Sequence, residues 1–151
     1  MRNETRPEQL DRNLTSLLQE LRVVQTGVQL LTGFLLTLPF EPRFASLSVP
    51  MRTVYLVVVV ASIAATVFLT APVAAHRLLF RRHRLESVVD TAHHFALTGL
   101  LSLRVALTGV AVLIFDTVAG PDTAVVAGVA FALLFTGLWV VHPWRQRRHS
   151  D

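Results

Sequence analysis

The chain contains no cysteine and no lysine. Without thiols there can be no disulfide, thiol nucleophile, cysteine-based zinc site or iron–sulfur ligation. All 14 basic residues are consequently arginine. A compositional bias toward arginine codons accounts for every such position at once, whereas selection for bidentate anion recognition would have to act site by site. Carboxylates are also missing from the interior of every long apolar run: Glu20, Glu41, Glu86, Asp90, Asp116 and Asp122 all lie at run edges. Proton-coupled cation carriers normally depend on an intramembrane carboxylate or histidine relay. The histidines, at positions 76, 83, 93, 94, 142 and 149, sit at the ends of the runs as well. A metal site built from His76, His93 and His142 would have no carboxylate or thiolate support. Adjacent His93 and His94 do not share a helix face. No nucleophile–histidine–acid set stands out, so we expect no enzymatic activity, no cofactor and no metal.

What the chain has in quantity is apolar sequence, 52% of 151 residues. Four stretches, at about 23–40, 53–75, 95–116 and 123–142, are long enough to cross a hydrocarbon core about 30 Å thick, which needs roughly 20 helical residues. The run Val54 to Ala61 and the run Ala124 to Val141 carry no polar stripe of helical period, as expected of helices surrounded by lipid or protein. The predicted fold is all-α, a transmembrane four-helix bundle over residues 23–142. It is preceded by an amphipathic segment at the inner interface, 1–22, and followed by a basic tail, 143–151.

The arginines set the orientation. Arg2, Arg6, Arg12 and Arg22 precede the first span, Arg77, Arg81, Arg82 and Arg84 lie between the second and third, and Arg145, Arg147 and Arg148 follow the fourth. Only Arg43 and Arg52 lie in the loops on the other side. The excess of basic residues in cytoplasmic loops places both termini in the cytoplasm of a multi-pass cell-membrane protein. Positive charge confined to these flanks speaks for topology and not for nucleic acid. The polar start and late apolar run do not fit a cleaved signal peptide. Asp11 or Asn13 is expected to cap a helix beginning near Leu14. Pro39, Pro42 and Pro50 make the first outer loop, 41–52, short and stiff. Gly120-Pro121 forms a tight second turn with Asp122 as a cap, so spans three and four form an antiparallel hairpin.

Arg104 is the one charged residue inside a span. At mid-depth it costs about 2.5–3.5 kcal/mol on insertion scales and needs acceptors. Arg22, Thr26, Gln29, Gly33 and Thr37 recur along one face of the first span, with Gln25 and Thr32 beside them. Helical rise puts Gln29 ~15 Å inward from Pro39 and Arg104 ~18 Å inward from Asp116. On that depth match Arg104 is expected to bond Gln25 or Gln29, with Thr108 near and Ser62, Thr66 and Thr136 completing a polar layer. The layer serves either as interhelical glue, as an ion or anionic-ligand site, or as a dimer interface. Ala124, Gly128, Ala132 and Thr136 repeat at four-residue spacing, as do Ala61 and Ala65, a pattern that lets helices approach closely. Pro72 is expected to free the carbonyl of Phe68. Val59-Val60-Ala61 recurs as Val125-Val126-Ala127, Arg81-Arg82-His83 as Arg147-Arg148-His149, and Leu31-Thr32-Gly33 as Leu97-Thr98-Gly99, all at one offset. Either a parallel duplication or shared composition would produce this.

Residues 17–40 (LLQELRVVQTGVQLLTGFLLTLPF) and 71–83 (APVAAHRLLFRRH) resemble a family of small uncharacterised bacterial membrane proteins with four predicted spans, the Glu-Leu-Arg-Val-x-Gln-Thr-Gly-Val-Gln run being the specific part. Some members bear a sodium/proton antiporter label. The resemblance implies that Arg22, Gln25, Thr26, Gln29, Pro72, His76 and Arg77 belong to the family signature. Two function classes follow. One is a non-enzymatic scaffold or accessory protein working with the lipid bilayer and other membrane proteins, or as a homodimer. The other is an ion or small-solute transporter, acting as a dimer. For either, reporters fused to the two ends are expected on the same, cytoplasmic face; reporters on opposite faces would overturn the topology.

Overall fold

Every seventh residue of the first helix from Leu21 onward, namely Leu21, Val28 and Leu35, is buried. That repeat selects the one face that the helix turns toward the rest of the protein. A computed structural model describes residues 6–79 and 85–138, and among them the chain is all-helical. The helices are α1 (Arg6–Thr37), α2 (Val49–Leu79), α3 (Leu85–Ala119) and α4 (Pro121–Thr136), with two short 3-10 turns, Leu38–Phe40 and Pro42–Ser46, between α1 and α2. Three segments are long and apolar enough to cross a membrane: Gln19–Phe40, Val49–Pro72 and His93–Ala119. They contain most of the first three expected spans. Helix α4 is apolar over its 16 residues and passes into a wider, π-type turn at Gly137 and Leu138. The rest of the fourth expected span, with His142, lies outside the described residues, as does the basic tail.

The ends of the helices depart from expectation in three places. Helix α1 starts at Arg6, so positions 11 and 13 lie inside it and no helix begins near Leu14. Pro7 is tolerated because first-turn N–H groups have no intrahelical acceptor. For the same reason α2 begins at Val49 and absorbs Pro50, which shortens the first loop. At the start of α4 the cap position is Gly120, with φ 92°, and there is no side-chain cap bond. Asp122 therefore sits in the first helical turn, where its charge favours the helix dipole. Thr123 Oγ1 instead closes the turn by donating to Gly120 O at 2.7 Å. The positive φ is a conformation that side chains with a Cβ rarely adopt, so Gly120 sets the hairpin.

The chain divides into two compact units: Met1–Ala45 with Val59–Leu103, and Ser46–Val58 with Arg104–Asp151. In the first, Leu21, Val28, Ala65, Leu69 and Ala96 form the core, with Val24, Leu100 and Leu103 packed on it. The Phe68 and Phe95 rings stack with centroids 6.1 Å apart. Gly99 lets α3 close on α2: a Cβ there would meet Leu69 Cγ at 2.7 Å. In the second unit Gly109 is tighter still, with a Cβ falling 2.2 Å from Val58 Cγ2. The expected small-residue row of α4 is its α3-facing seam: Ala124 is buried, and a Cβ on Gly128 would meet Val112 Cγ2 at 2.9 Å. Lipid tails are as apolar as these side chains, so in a bilayer such seams would be held by close van der Waals fit and not by exclusion of water.

The glycine contacts generate a direct comparison. Gly109→Leu and Gly99→Leu are expected to lower the melting temperature in detergent, each costing about 1–3 kcal/mol through overpacking. Gly27→Ala, where nothing lies within 4 Å of the added carbon, is expected to be neutral or stabilising by up to about 1 kcal/mol through helix propensity. Equal tolerance of all three would refute the close approaches.

Candidate functional site

The polar side chains inside the apolar helices form three separate bonded sets, each fixed by where its helix turns. The first lies in the unit built on α1. Gln25, one residue from the Leu21 and Val28 face, donates its amide N–H to Leu69 O on α2 at 2.5 Å. Leu69 is fully buried and Pro72, one turn further on, is buried too. The carbonyl deprived of its helical N–H by Pro72 is that of Phe68, yet the one that takes a cross-helix donor is its neighbour Leu69. A helical carbonyl has a second lone pair, and Leu69 is the residue of this turn buried against α1. Gln25 and Pro72, from the two stretches singled out in the sequence, are brought to the same turn. The side chains of His76 and Arg77 lie outside the described residues, and Arg22 is exposed.

The second set joins the same two helices nearer the α1–α2 connection. Ser62 is completely buried and lies 2.6 Å from Thr32 Oγ1. Thr32 gives its own proton to Val28 O at 2.8 Å, so Ser62 is the donor between the two hydroxyls. Thr66 returns its hydroxyl to Ser62 O in its own helix at 3.0 Å.

The third set belongs to the α3–α4 hairpin. Arg104 Nη2 donates to Thr136 Oγ1 and to Ala132 O at 3.2 Å. Thr136 in turn donates to Ala132 O at 2.7 Å. Proton bookkeeping closes: the guanidinium gives, the hydroxyl accepts and passes its own proton on to the carbonyl. Arg104 precedes Gly120 by as many residues as Thr136 follows it, so the hairpin brings the two to one level. The expected partners were glutamines of α1, and this is corrected. Gln25 is committed to Leu69, and Gln29 is exposed. Matching depths ignored azimuth: Gln29 is about 100° round the helix from buried Val28. Thr26, also on that outer face, donates to its own Arg22 O at 3.1 Å.

Arg104 also borders a groove of about 370 Å³ whose walls include Val54, Val57, Val58, Val105 and Ala132, with Thr53 and Thr108 as its hydroxyls. Thr108 stands one helical turn from Arg104 along the same groove. Nε and Nη1 of Arg104 have no acceptor among the described residues. The arrangement presents a cation with spare N–H donors to a largely apolar space. It has no carboxylate to bind a cation, and among the described residues no three His, Asp or Glu side chains gather as a metal site would require. Sequence reasoning missed the two backbone acceptors, Leu69 O and Ala132 O. For the second, equal counting from Gly120 would have paired Arg104 with Thr136, and with it the carbonyl one turn earlier.

Neither a curated protein nor a solved structure matches the chain. Residues 3–143 match a family of unknown function, DUF6328. That match states no activity and no number of spans. It covers nearly the whole sequence, and the chain belongs to the DUF6328 family.

Proposed function

We propose that the chain is a bacterial inner-membrane protein of four spans, with both termini cytoplasmic. On this reading it serves as a non-enzymatic helical scaffold or accessory protein for other membrane components. The observation that carries the reading is how the polar groups within the spans are used. Gln25, Thr32, Ser62, Thr136 and part of Arg104 are consumed in bonds that tie one helix to the next. Among the described residues no buried side-chain nitrogen or oxygen is left without a partner. A transport site instead gathers unsatisfied ligating groups at mid-depth for its solute. The broad apolar faces left outside, including Val23, Leu30, Phe34, Val60, Val67, Val126 and Leu133, suit lipid and neighbouring membrane helices. The fourth span rests on the apolar run of the sequence at about 123–142, and the arginine distribution supports the orientation.

A second reading, a transporter of ions or small solutes resembling an antiporter, draws on Arg104. Its uncommitted donors at the edge of a groove are the kind of intramembrane charge that marks solute paths. Purified protein in liposomes separates the two. The scaffold reading expects no sodium, proton or anion flux above protein-free vesicles. It further expects Thr136→Val to lower thermal stability by about 0.5–1.5 kcal/mol by removing one of the two acceptors of the guanidinium, with Thr136→Ser retaining most of it. Flux that disappears in Arg104→Leu, in a variant that still inserts and folds, would establish transport and end the scaffold reading.

A further inference from the structure

We propose that two copies of the chain pair in the membrane through Gln29 of α1, each side-chain amide giving an N–H to the carbonyl oxygen of the other. The inference rests on the reading of α1 as a membrane span. Gln29 lies roughly 15 Å from either end of the apolar segment Gln19–Phe40 at helical rise, too far for its short side chain to reach water. It is exposed and has no hydrogen-bond partner among the described residues. Every other uncharged polar side chain of this segment from Gln25 on is satisfied. Gln25 holds Leu69 O, Thr32 holds Val28 O and meets Ser62, and Thr26 and Thr37 bond their own backbone.

Hydrocarbon offers neither donor nor acceptor, so an amide left there is expensive. A carboxamide carries both, and the partner it fits best is another carboxamide. A second copy supplies one at the same depth, because both copies insert the same way up. A two-fold axis along the membrane normal then brings Gln29 against its equivalent with two reciprocal bonds. The surrounding face permits the approach. Gly33 has nothing within 4 Å of where a Cβ would stand, and Thr26 and Thr37 turn their hydroxyls back to their own helix. Arg22 ends the same face near headgroup level, where water and lipid phosphates screen like charges. Val23 and Phe34 are exposed as well, but they lie about a quarter-turn further round.

Because the chain has no cysteine, an introduced one reports its own position alone. In phosphatidylethanolamine–phosphatidylglycerol vesicles, Thr26→Cys and Gly33→Cys are expected to give dimers with a short bis-maleimide, and Val23→Cys and Phe34→Cys at least several-fold less. Energy transfer between labelled copies, titrated by lipid dilution, should show Gln29→Leu weakening association roughly five- to tenfold, the equivalent of two interhelical hydrogen bonds. Gln29→Asn should retain most of it. Alkaline extraction of the same vesicles separates the premises: release of the wild-type chain would defeat the membrane-span reading itself. An integral chain that stays monomeric at every dilution, that dimerises equally well as Gln29→Leu, or that cross-links as well from Phe34→Cys, would overturn the pairing and assign the face to a different protein.

Discussion

A polar group that loses water must find its partner within the protein, and this constraint organises the described structure. In a soluble helical protein a buried Ser or Gln adds specificity to a core held together mainly by the hydrophobic effect. Helices in a bilayer have little to gain from hiding leucine from lipid. What distinguishes one packing from another is which steric gaps close and which hydrogen bonds are made. The Gln25 bond to Leu69 O, the Ser62 bond to Thr32 and the Arg104–Thr136–Ala132 chain lie where small residues allow contact. Ala65 accompanies the first two, and Gly128 the third. Each interhelical bond contributes ~0.6 kcal/mol on average, so their worth lies as much in fixing rotation and register as in total stability.

The hairpin shows how a local feature sets a distant contact. Gly120 takes a positive φ and Pro121 starts α4, leaving almost no slack between the two helices. With the turn fixed, residues equally far from it on either side come level. Val112 meets Gly128, and a little over two turns further from the bend Arg104 meets Thr136. The four-residue row Ala124, Gly128, Ala132 and Thr136 keeps the seam narrow, and its last member is the first with a hydroxyl. A longer turn would let α4 slip along α3 and detach the guanidinium from its acceptors.

Helix number and the approximate extents of the first three apolar segments were legible in the sequence, because hydropathy and helical rise depend only on position along the chain. Azimuth was less so. The outward face of Arg22, Thr26, Gln29, Gly33 and Thr37 was identified correctly as one face, but its polarity made it look inward-facing. The Leu21–Val28–Leu35 repeat, in the same stretch, carried the opposite and correct information. Apparent repetition was a similar trap. Gly99 is pressed against Leu69 while its counterpart Gly33 faces open space. Thr32 bonds Ser62 whereas Thr98 bonds only its own helix. Matching letters therefore do not occupy matching environments.

Arg104 and Gln29 illustrate why two polar residues of apolar helices call for different partners. A guanidinium has five N–H donors and no acceptor, so a second guanidinium can only repel it. Its spare donors need a carbonyl, a water or an anion, and that is the chemistry of a ligand or of a neighbouring backbone. A carboxamide is donor and acceptor in one plane, so its own copy is a complete partner and brings no net charge into the lipid. Symmetric association is thus open to the face of α1 that presents Gln29 and closed to any face that presents Arg104 alone. Within this chain the arginine is held by the α3–α4 hairpin, and the uncharged amide is the group left facing outward. A chain that inserts alone and pairs afterwards can leave such an amide exposed, but it could not so cheaply leave a charge.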